Sequence, residues 1–344
     1  MENVIRELAR IGTGDEFIAL CRPEILSDLP PTVRRIETDI PQYSIRVFTE
    51  LPRILRREKP DLVHFPYFFH PSLFLGAPYV VTIFDTAYSY FPGSLSRKER
   101  LAYQLMMRRS IRKAALVLTD SHSAKRDIIR FFNGDEAKIR VIPLGVEERF
   151  RPMDDDAAFR ARLGLPDRYI LYMGNHRPHK NLPVLVNAFA RIRRDIPHYL
   201  VLPWHPDNDC RQTEDAVAEA AIAEQVVFLR DLPDEALPSL YSAAGLFVYP
   251  SLYEGFGLPP LEAMASGTPV ISSNTSSLPE VVGEAGILLD PHDVEGLAEA
   301  ILNVLRNPEL QQEMREKGIE RAKLFTWENT ARLTLQAYHE ALAL

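Results

Sequence analysis

The sequence predicts an α/β protein built of two Rossmann-like domains, each a parallel sheet covered by helices. Two observations carry this. From Phe17 onward, short apolar β-rich runs alternate with segments of helical periodicity, the signature of wound parallel sheets. The chain is also 344 residues long, beyond the size at which one hydrophobic core stops growing and chains divide. Its 46% hydrophobic and 25% charged residues leave a core to bury and exclude disordered and fibrous classes.

The chain enters an amphipathic helix at once, in MENVIRELARIG, with no strand before it. Gly12 and Gly14 follow that helix rather than a strand, so they read as its stop and not as a dinucleotide loop. Strands are expected near 17–20, 45–48, 61–65, 79–83, 115–119 and 138–142, with helices near 50–58, 95–113 and 123–132. Ser123 is the expected N-cap of the last of these helices, and Asn133-Gly134 its stop. Turns, charges and prolines interrupt the alternation over 143–168, and the linker is placed near 144–153. A second series follows, with strands near 169–173, 199–202, 226–229, 246–249, 269–272 and 286–289. Its helices are expected near 181–194, 212–223, 234–243, 259–266, 293–306 and 308–323, with a last one at 327–343. The resulting domains are 1–147 and 148–325, followed by a C-terminal helical segment 326–344.

The net charge of −7 gives no global basic footprint for nucleic acid. It hides an asymmetry: residues 1–150 hold 23 basic and 19 acidic side chains, the remainder 17 and 28. Cys21 and Cys210 make neither a disulfide framework nor a metal cluster and fit a reducing, cytoplasmic compartment. No run approaches 18 apolar residues, so a soluble or peripheral protein is expected.

Chemistry concentrates in two segments. In 245–291 a buried strand ends at Tyr249-Pro250, a loop carries Glu254-Gly255-Phe256-Gly257, and a helix opens at Pro259-Pro260. The glycines let backbone approach a ligand closely, and the free N–H groups of the helix start favour an anion or an electron-rich oxygen. Glu254 and Glu262 flank that start. Carboxylates beside anion-binding amides suit a ligand that carries hydroxyls and phosphates; the plainer alternative is that Glu262 stabilises the helix start through the macrodipole. In 169–182, YILYMGNHRPHKNL, a strand ends in Gly174 and a loop presents Arg177, His179 and Lys180 before the next helix. Such cations can clamp a diphosphate, or form a solvated basic loop.

Together these segments resemble the retaining glycosyltransferases of family 4, which have the GT-B fold. The E-x7-E pair Glu254/Glu262, the sentence EGFGLPPLEAMASGTPVI and GNHRPHKNL carry the resemblance, and VVTIFDTAY, TDSHSAKRDI and KIRVIPLGV extend it over most of the chain. The resemblance implies two Rossmann-like domains facing a cleft, with the terminal helix crossing back to the first. The first domain would bind the acceptor and the second the nucleotide sugar. Relatives that look similar make bacterial polysaccharides from activated mannose, so a GDP- or UDP-linked sugar is the expected co-substrate, with a glycan or lipid-linked acceptor and no other cofactor.

The same resemblance implies roles. Arg177 and Lys180 would contact the donor diphosphate, and Glu262 the ribose hydroxyls. Glu254, with the amides of Gly255, Phe256, Gly257 and Leu258, would hold the transferred sugar; Gly174 belongs to the donor side, and Leu229 and Arg230 would lie near the base. Transfer would keep the sugar's configuration by front-face displacement, the departing phosphate oxygen taking the acceptor's proton, with no metal required. The alternatives are a non-catalytic partner in a glycan-assembly complex and a GT-B nucleotide-sugar epimerase.

Two features depart from the family pattern. Relatives begin with a strand and a glycine-rich loop against which the acceptor binds, and both are absent from the start of this sequence; a start farther upstream is the favoured reading, because removing a central parallel strand strips its neighbours of pairing. Phe84 stands where relatives often have histidine, next to Asp85, and phenylalanine neither donates nor accepts. On the same acceptor side, Asp120 and His122 follow a strand, His122 being expected as a structural cap.

Other signals read more plainly. Asp154-Asp155-Asp156 is expected to be an acidic helix start rather than a metal motif. His64 and His70 flank the aromatic run Phe65-Pro66-Tyr67-Phe68-Phe69, which serves either as packing or as a wall for an acceptor sugar. On the helix 97–113, Arg97, Lys98, Arg108, Arg109, Arg112 and Lys113 share a face with Leu101 and Leu105, while Tyr103, Met106, Met107 and Ile111 lie opposite. That basic face either rests on anionic lipid at the inner membrane surface or is simply solvated.

Overall fold

The structure, a computed structural model, describes all residues except 13, 23–28, 42–43, 72–75, 155–156 and 205–209. Thr13 and the Asp155-Asp156 part of the acidic triplet therefore lie outside the described residues. The chain forms two compact units, residues 1–145 with 326–344, and residues 146–325.

The first unit begins with α1 (Glu2–Ile11), then β1 (Ile18–Cys21) and β2 (Arg34–Glu37), which pair in parallel as a sheet of their own. α2 (Arg46–Thr49) and α3 (Leu51–Glu58) follow, then β3 (Val63–Phe65), β4 (Tyr79–Thr82), α4 (Ala87–Tyr90), α5 (Arg97–Lys113), β5 (Leu116–Thr119), α6 (His122–Phe132) and β6 (Ile139–Val141). β3 to β6 form a parallel sheet in sequence order. Val80, Val81 and Val117 are completely covered, as strands with helices on both faces require.

Three details differ from the sequence expectations. The strand expected at 45–48 is the helix α2. Its Arg46 pairs with Glu50 one turn on, Nε to Oε1 at 2.6 Å, and only Val47 is buried while Ile45 is 80% exposed. The N-cap of α6 is Ser121, whose Oγ accepts from the Ala124 amide at 3.0 Å; Ser123 and His122 both lie inside the first turn. Strand β2, sequence RRIE, has no alternation to announce it and only Ile36 partly covered.

The second unit contains α7 (Ala157–Leu163), β7 (Tyr169–Leu171), α8 (Leu182–Ile192), β8 (Tyr199–Trp204), α9 (Arg211–Glu219), β9 (Val226–Arg230), α10 (Leu237–Ser242) and β10 (Leu246–Tyr249). It continues with α11 (Leu258–Ala265), β11 (Val270–Ser273), α12 (Leu278–Val282), β12 (Ile287–Leu289), α13 (Val294–Arg306) and α14 (Pro308–Ala322). All six strands are parallel, in the order β12-β11-β10-β7-β8-β9. The order reverses between β7 and β10, and in such sheets the carboxyl ends at the reversal open the crevice that takes a ligand. The loops leaving those two strands are the two segments singled out by their sequence.

The C-terminal helix α15 (Trp327–Leu342) belongs to the first unit. It packs Ala331 against Val4 and Leu8 of α1, and Ala337 and Ala341 into the cluster of Val80, Leu116 and Ile142. Gly145 makes the approach possible: a Cβ there would lie 2.2 Å from the Trp327 amide nitrogen. No helix among the described residues is long and apolar enough to cross a membrane.

Candidate active site

The segment after β7 is shaped before it meets anything else. Gly174 sits at φ +144°, where a side chain would be strained, and a Cβ would meet the Tyr172 hydroxyl at 2.8 Å. That hydroxyl donates to the Asn175 carbonyl at 2.6 Å, and Asn175 Oδ1 accepts from the Arg177 amide at 3.3 Å. A single 3₁₀ turn over 178–180 then delivers Lys180 into the interior, and Asn181 in the left-handed region starts α8.

This loop is stitched to the one after β10. Asn181 Nδ2 donates to the carbonyls of Pro250 and Pro291 at 3.0 and 2.6 Å, and the Leu252 amide donates to the His179 carbonyl at 2.8 Å. Between these ties, Lys180 Nζ donates to Glu254 Oε1 at 2.7 Å and to the Tyr249 hydroxyl at 3.0 Å. Lysine and carboxylate, 74 residues apart in sequence, thus form a nearly buried ion pair. Burial, followed by the Glu254 charge, pushes the Tyr249 phenol well above its ordinary value, so it stays neutral.

The loop 254–257 is held by serines that carried no signal in the sequence. The Glu254 amide donates to Ser276 Oγ at 3.0 Å, and Ser277 Oγ reaches the carbonyls of Glu254 and Phe256 at 3.0 and 2.6 Å. Fixing the carbonyls on one side fixes the peptide planes of the loop. Gly257, at φ +116°, is the N-cap of α11, and no side chain caps the helix start. Pro259 and Pro260 carry no N–H and the Leu261 amide is bonded to the Gly257 carbonyl, so the first turn of α11 offers the Leu258 amide to a ligand.

Glu262 lies in the second turn of α11. Its Oε2 accepts from the Tyr241 hydroxyl of α10 at 2.8 Å. Burial pushes the carboxyl up to about 7, against which the Tyr241 hydrogen bond acts. Tyr241 is itself completely buried, so a carboxyl that could pass for a helix-start charge is instead held from below by a core aromatic.

The structure thus brings Lys180 and Glu254 into contact after β7 and β10, with Gly174, Gly255, Phe256, Gly257 and Leu258 on the same two segments and Glu262 one turn down α11, bonded to Tyr241. Arg177 is exposed on the same loop. Leu229 is buried near the end of β9, and Arg230 lies two strands from β7 with its guanidinium 4.2 Å from the centre of the Trp204 ring. In the first unit, Phe84 is partly covered just beyond β4, and Asp85 Oδ1 accepts from the Ala87 amide at 2.8 Å, closing a turn one residue before the Thr86 N-cap of α4. Asp120 is buried after β5 and His122 is exposed at the start of α6.

The histidines beside the aromatic run are structural. His64 bridges the Tyr338 and Thr82 hydroxyls at 2.6 and 2.7 Å, pinning α15 to β4, and burial pushes it down to about 3. His70 stacks on Phe65 and meets Ser110 Oγ at 2.7 Å. The packing alternative therefore describes both.

Comparison with known proteins identifies the family and the fold. Residues 2–150 match the family model described as Glycosyltransferase Family 4, and residues 155–321 the one described as Glycosyl transferases group 1. The O-antigen chain mannosyltransferase B of Escherichia coli is 35% identical over 295 residues, covering 83% of this chain and 75% of the relative. Sucrose-phosphate synthase from Thermosynechococcus elongatus superposes with a TM-score of 0.78 at 26% identity, over 99% of this chain and 92% of that one. HepE of Anabaena, solved in complex with UDP-glucose, shares the fold with a TM-score of 0.77 at 18% identity, over 100% and 96% of the two chains. With both halves matched and a relative of this identity aligned over most of its length, the chain belongs to the family 4, group 1 glycosyltransferases of GT-B fold and is a glycosyltransferase.

Proposed function

We propose that the enzyme moves mannose from a nucleoside-diphosphate donor to a glycan or lipid-linked acceptor, with retention of configuration. One observation carries the reading: Lys180 pairs with Glu254, which opens a glycine loop leading into a helix start with no side-chain cap, so a cation, a carboxylate and the Leu258 amide belong to one pair of joined loops. A sugar diphosphate needs all three. Lys180, joined by Arg177 from the exposed edge of its loop, neutralises the diphosphate. Glu254 accepts from sugar hydroxyls, and Glu262 from the ribose. Mannose is favoured because the Escherichia coli relative is a mannosyltransferase, and a nucleotide donor because HepE was solved with UDP-glucose.

In this reading the bond from the anomeric carbon to the phosphate oxygen breaks as an acceptor hydroxyl approaches from the same face. The acceptor's proton passes to the departing phosphate oxygen, and the charge growing on the diphosphate is met by Lys180 and the Leu258 amide at the helix start. The first unit holds the acceptor on the Phe84, Asp85 and His122 side. Donor screening tests the proposal. GDP-mannose, UDP-glucose and ADP-glucose are each added to the purified chain, and a bound donor at 100 times its dissociation constant stabilises the fold by about 2.7 kcal/mol. The product's anomeric configuration is then read by NMR. Inversion, or no stabilisation by any donor, rejects the reading.

We further propose that the enzyme works at the cytoplasmic face of an anionic membrane, docked through α5. Tyr103, Met107, Ser110 and Ile111 face the core, whereas Leu101 and Leu105 are 62% and 59% exposed on the opposite side. Met106, expected on the core side, is only partly covered. Arg97, Lys98, Arg108, Arg109, Arg112 and Lys113 surround the two leucines, and the helix's single acid, Glu99, closes a capping box with Ser96. Apolar side chains ringed by cations suit anionic headgroups over acyl chains.

A further inference from the structure

The Glu262 carboxylate has a partner that the proposed chemistry has not yet used. Tyr241 sits on the last full turn of α10, is completely covered, and directs its hydroxyl to Glu262 Oε2 at 2.8 Å. A phenol that only filled core space would be no better than phenylalanine, since a buried hydroxyl costs free energy unless it is bonded. Here the bond goes to a group at the site.

The ring is itself held on several sides. Phe150 packs edge-on at 5.7 Å between centroids, and Phe247 lies tilted at 5.5 Å. Phe247 stacks in turn on Tyr249, and Tyr249 on Tyr172, each at 5.8 Å. One run of aromatic rings therefore ends in the hydroxyl that meets Glu262 and includes the hydroxyl that meets Lys180. The backbone of Tyr241 is fixed as well, since its carbonyl accepts from Thr268 Oγ1.

We propose that Tyr241 is a positioning residue of the donor site: its hydroxyl holds one oxygen of Glu262 so that the other is presented, as a hydrogen-bond acceptor, to the donor's ribose hydroxyls. The inference rests on the ribose role proposed for Glu262. A carboxyl group accepts from two ribose hydroxyls best while ionised, since protonation turns one of its oxygens into a donor, and burial opposes ionisation here. Tyr241 acts in the other direction. The remaining charges that bear on Glu262 are Glu147, which opposes ionisation, and Arg149, which favours it, both from the segment following β6. Of the other neighbours of α11, α12 sets Leu278 and Val281 against Gly257, while α14 sets Gly318 against Met264 and Arg315 against Gly267 just beyond the end of the helix.

The test is ribose discrimination across pH. The wild type is titrated with GDP and with UDP, and the one that binds is compared with its 2′,3′-dideoxy counterpart. Tyr241→Phe, which keeps the ring, is expected to weaken the ribo form about tenfold at pH 6.5 and to leave the dideoxy form unchanged, with the acid limb of the binding profile moved up by about one pH unit. The loss narrows by pH 9, where the carboxyl ionises without the phenol, and the part that persists there reports the lost orientation of Glu262. Glu262→Gln is expected to abolish ribose preference at every pH, and adding Tyr241→Phe to it should change nothing further. If Glu262→Gln removes the preference while Tyr241→Phe weakens both nucleotides equally or neither, Tyr241 only packs, and the inference falls while the ribose reading stands. If Glu262→Gln keeps the preference, or neither nucleotide binds the wild type, the ribose reading fails and takes the inference with it.

Discussion

Lys180 and Glu254 meet across two loops of the second unit, Nζ to Oε1 at 2.7 Å, with their side chains only 10% and 12% exposed. In so little solvent the two charges stabilise one another, and removing one leaves the other uncompensated. On the proposed function, a donor diphosphate arriving at this lysine would meet a cation already held in place by a carboxylate and the Tyr249 hydroxyl. The rigidity is the useful part: stabilisation of growing charge is most effective when the stabilising group need not reorganise.

Lys180→Ala is therefore expected to slow transfer by about 100-fold or more and to lower stability by up to about 3 kcal/mol, because Glu254 is left buried alone. Adding Glu254→Gln should restore much of the stability and none of the activity. Denaturant midpoints and kcat on the same variants check both halves. A rate within about threefold of wild type would remove Lys180 from leaving-group stabilisation.

Much of this site is legible in the sequence, for a physical reason. Glycines, prolines at a helix start and charged residues just past a β-rich run are local signals, and they mark the loops after β7 and β10 without any knowledge of tertiary structure. The pairing of Lys180 with Glu254 is not legible, because it depends on β7 and β10 being neighbours across the strand-order reversal. Nor are Tyr241 and Tyr249, since an aromatic in an apolar stretch looks the same whether its hydroxyl is idle or bonded. Elsewhere, α2 is misread because IRVF has the apolar run of a strand, and only the Arg46–Glu50 spacing argues for a helix.

Glu262 gives a pH signature. Its carboxyl, ordinarily near 4.5, is pushed up to about 7 by burial. Because the folded value exceeds the unfolded one, its contribution to stability is complete below about 4.5 and is lost as pH rises through about 7. Glu262→Gln carries no such titration. It should match the wild type near pH 4 and exceed it by about 2–3 kcal/mol at pH 8.5, read from urea midpoints at unchanged m. A gap that stays constant with pH would show that Glu262 does not titrate in this range.

Gly257 is required by geometry rather than chemistry. At φ +116°, an alanine is strained, and its Cβ would lie 3.0 Å from Leu278 Cδ2. Gly257→Ala should cost about 1–3 kcal/mol and weaken nucleotide-sugar binding as the start of α11 shifts. Gly93, with ordinary backbone and nothing within 4 Å of a built Cβ, is the control; Gly93→Ala should leave both stability and binding unchanged. Equal melting temperatures for the two variants would refute the strain argument.

The membrane proposal makes a prediction about separable forces. Arg108, Arg109 and Arg112 supply long-range attraction, each worth about 1 kcal/mol at an anionic surface, while Leu101 and Leu105 supply contact with acyl chains. The Arg108/Arg109/Arg112→Glu variant should lose binding to phosphatidylglycerol vesicles outright, since it removes the attraction and adds repulsion. Leu101/Leu105→Ser should bind more weakly than the wild type, and what remains should vanish with added salt, because only the screened electrostatic part survives. Neutral phosphatidylcholine vesicles should bind neither variant nor the wild type. Both variants are changed on the exposed side of α5, so transfer to a soluble acceptor analogue should be retained, whereas transfer to a vesicle-borne acceptor should fall in step with vesicle binding. Absence of wild-type binding to anionic vesicles at low salt would reduce the basic face of α5 to a solvated one.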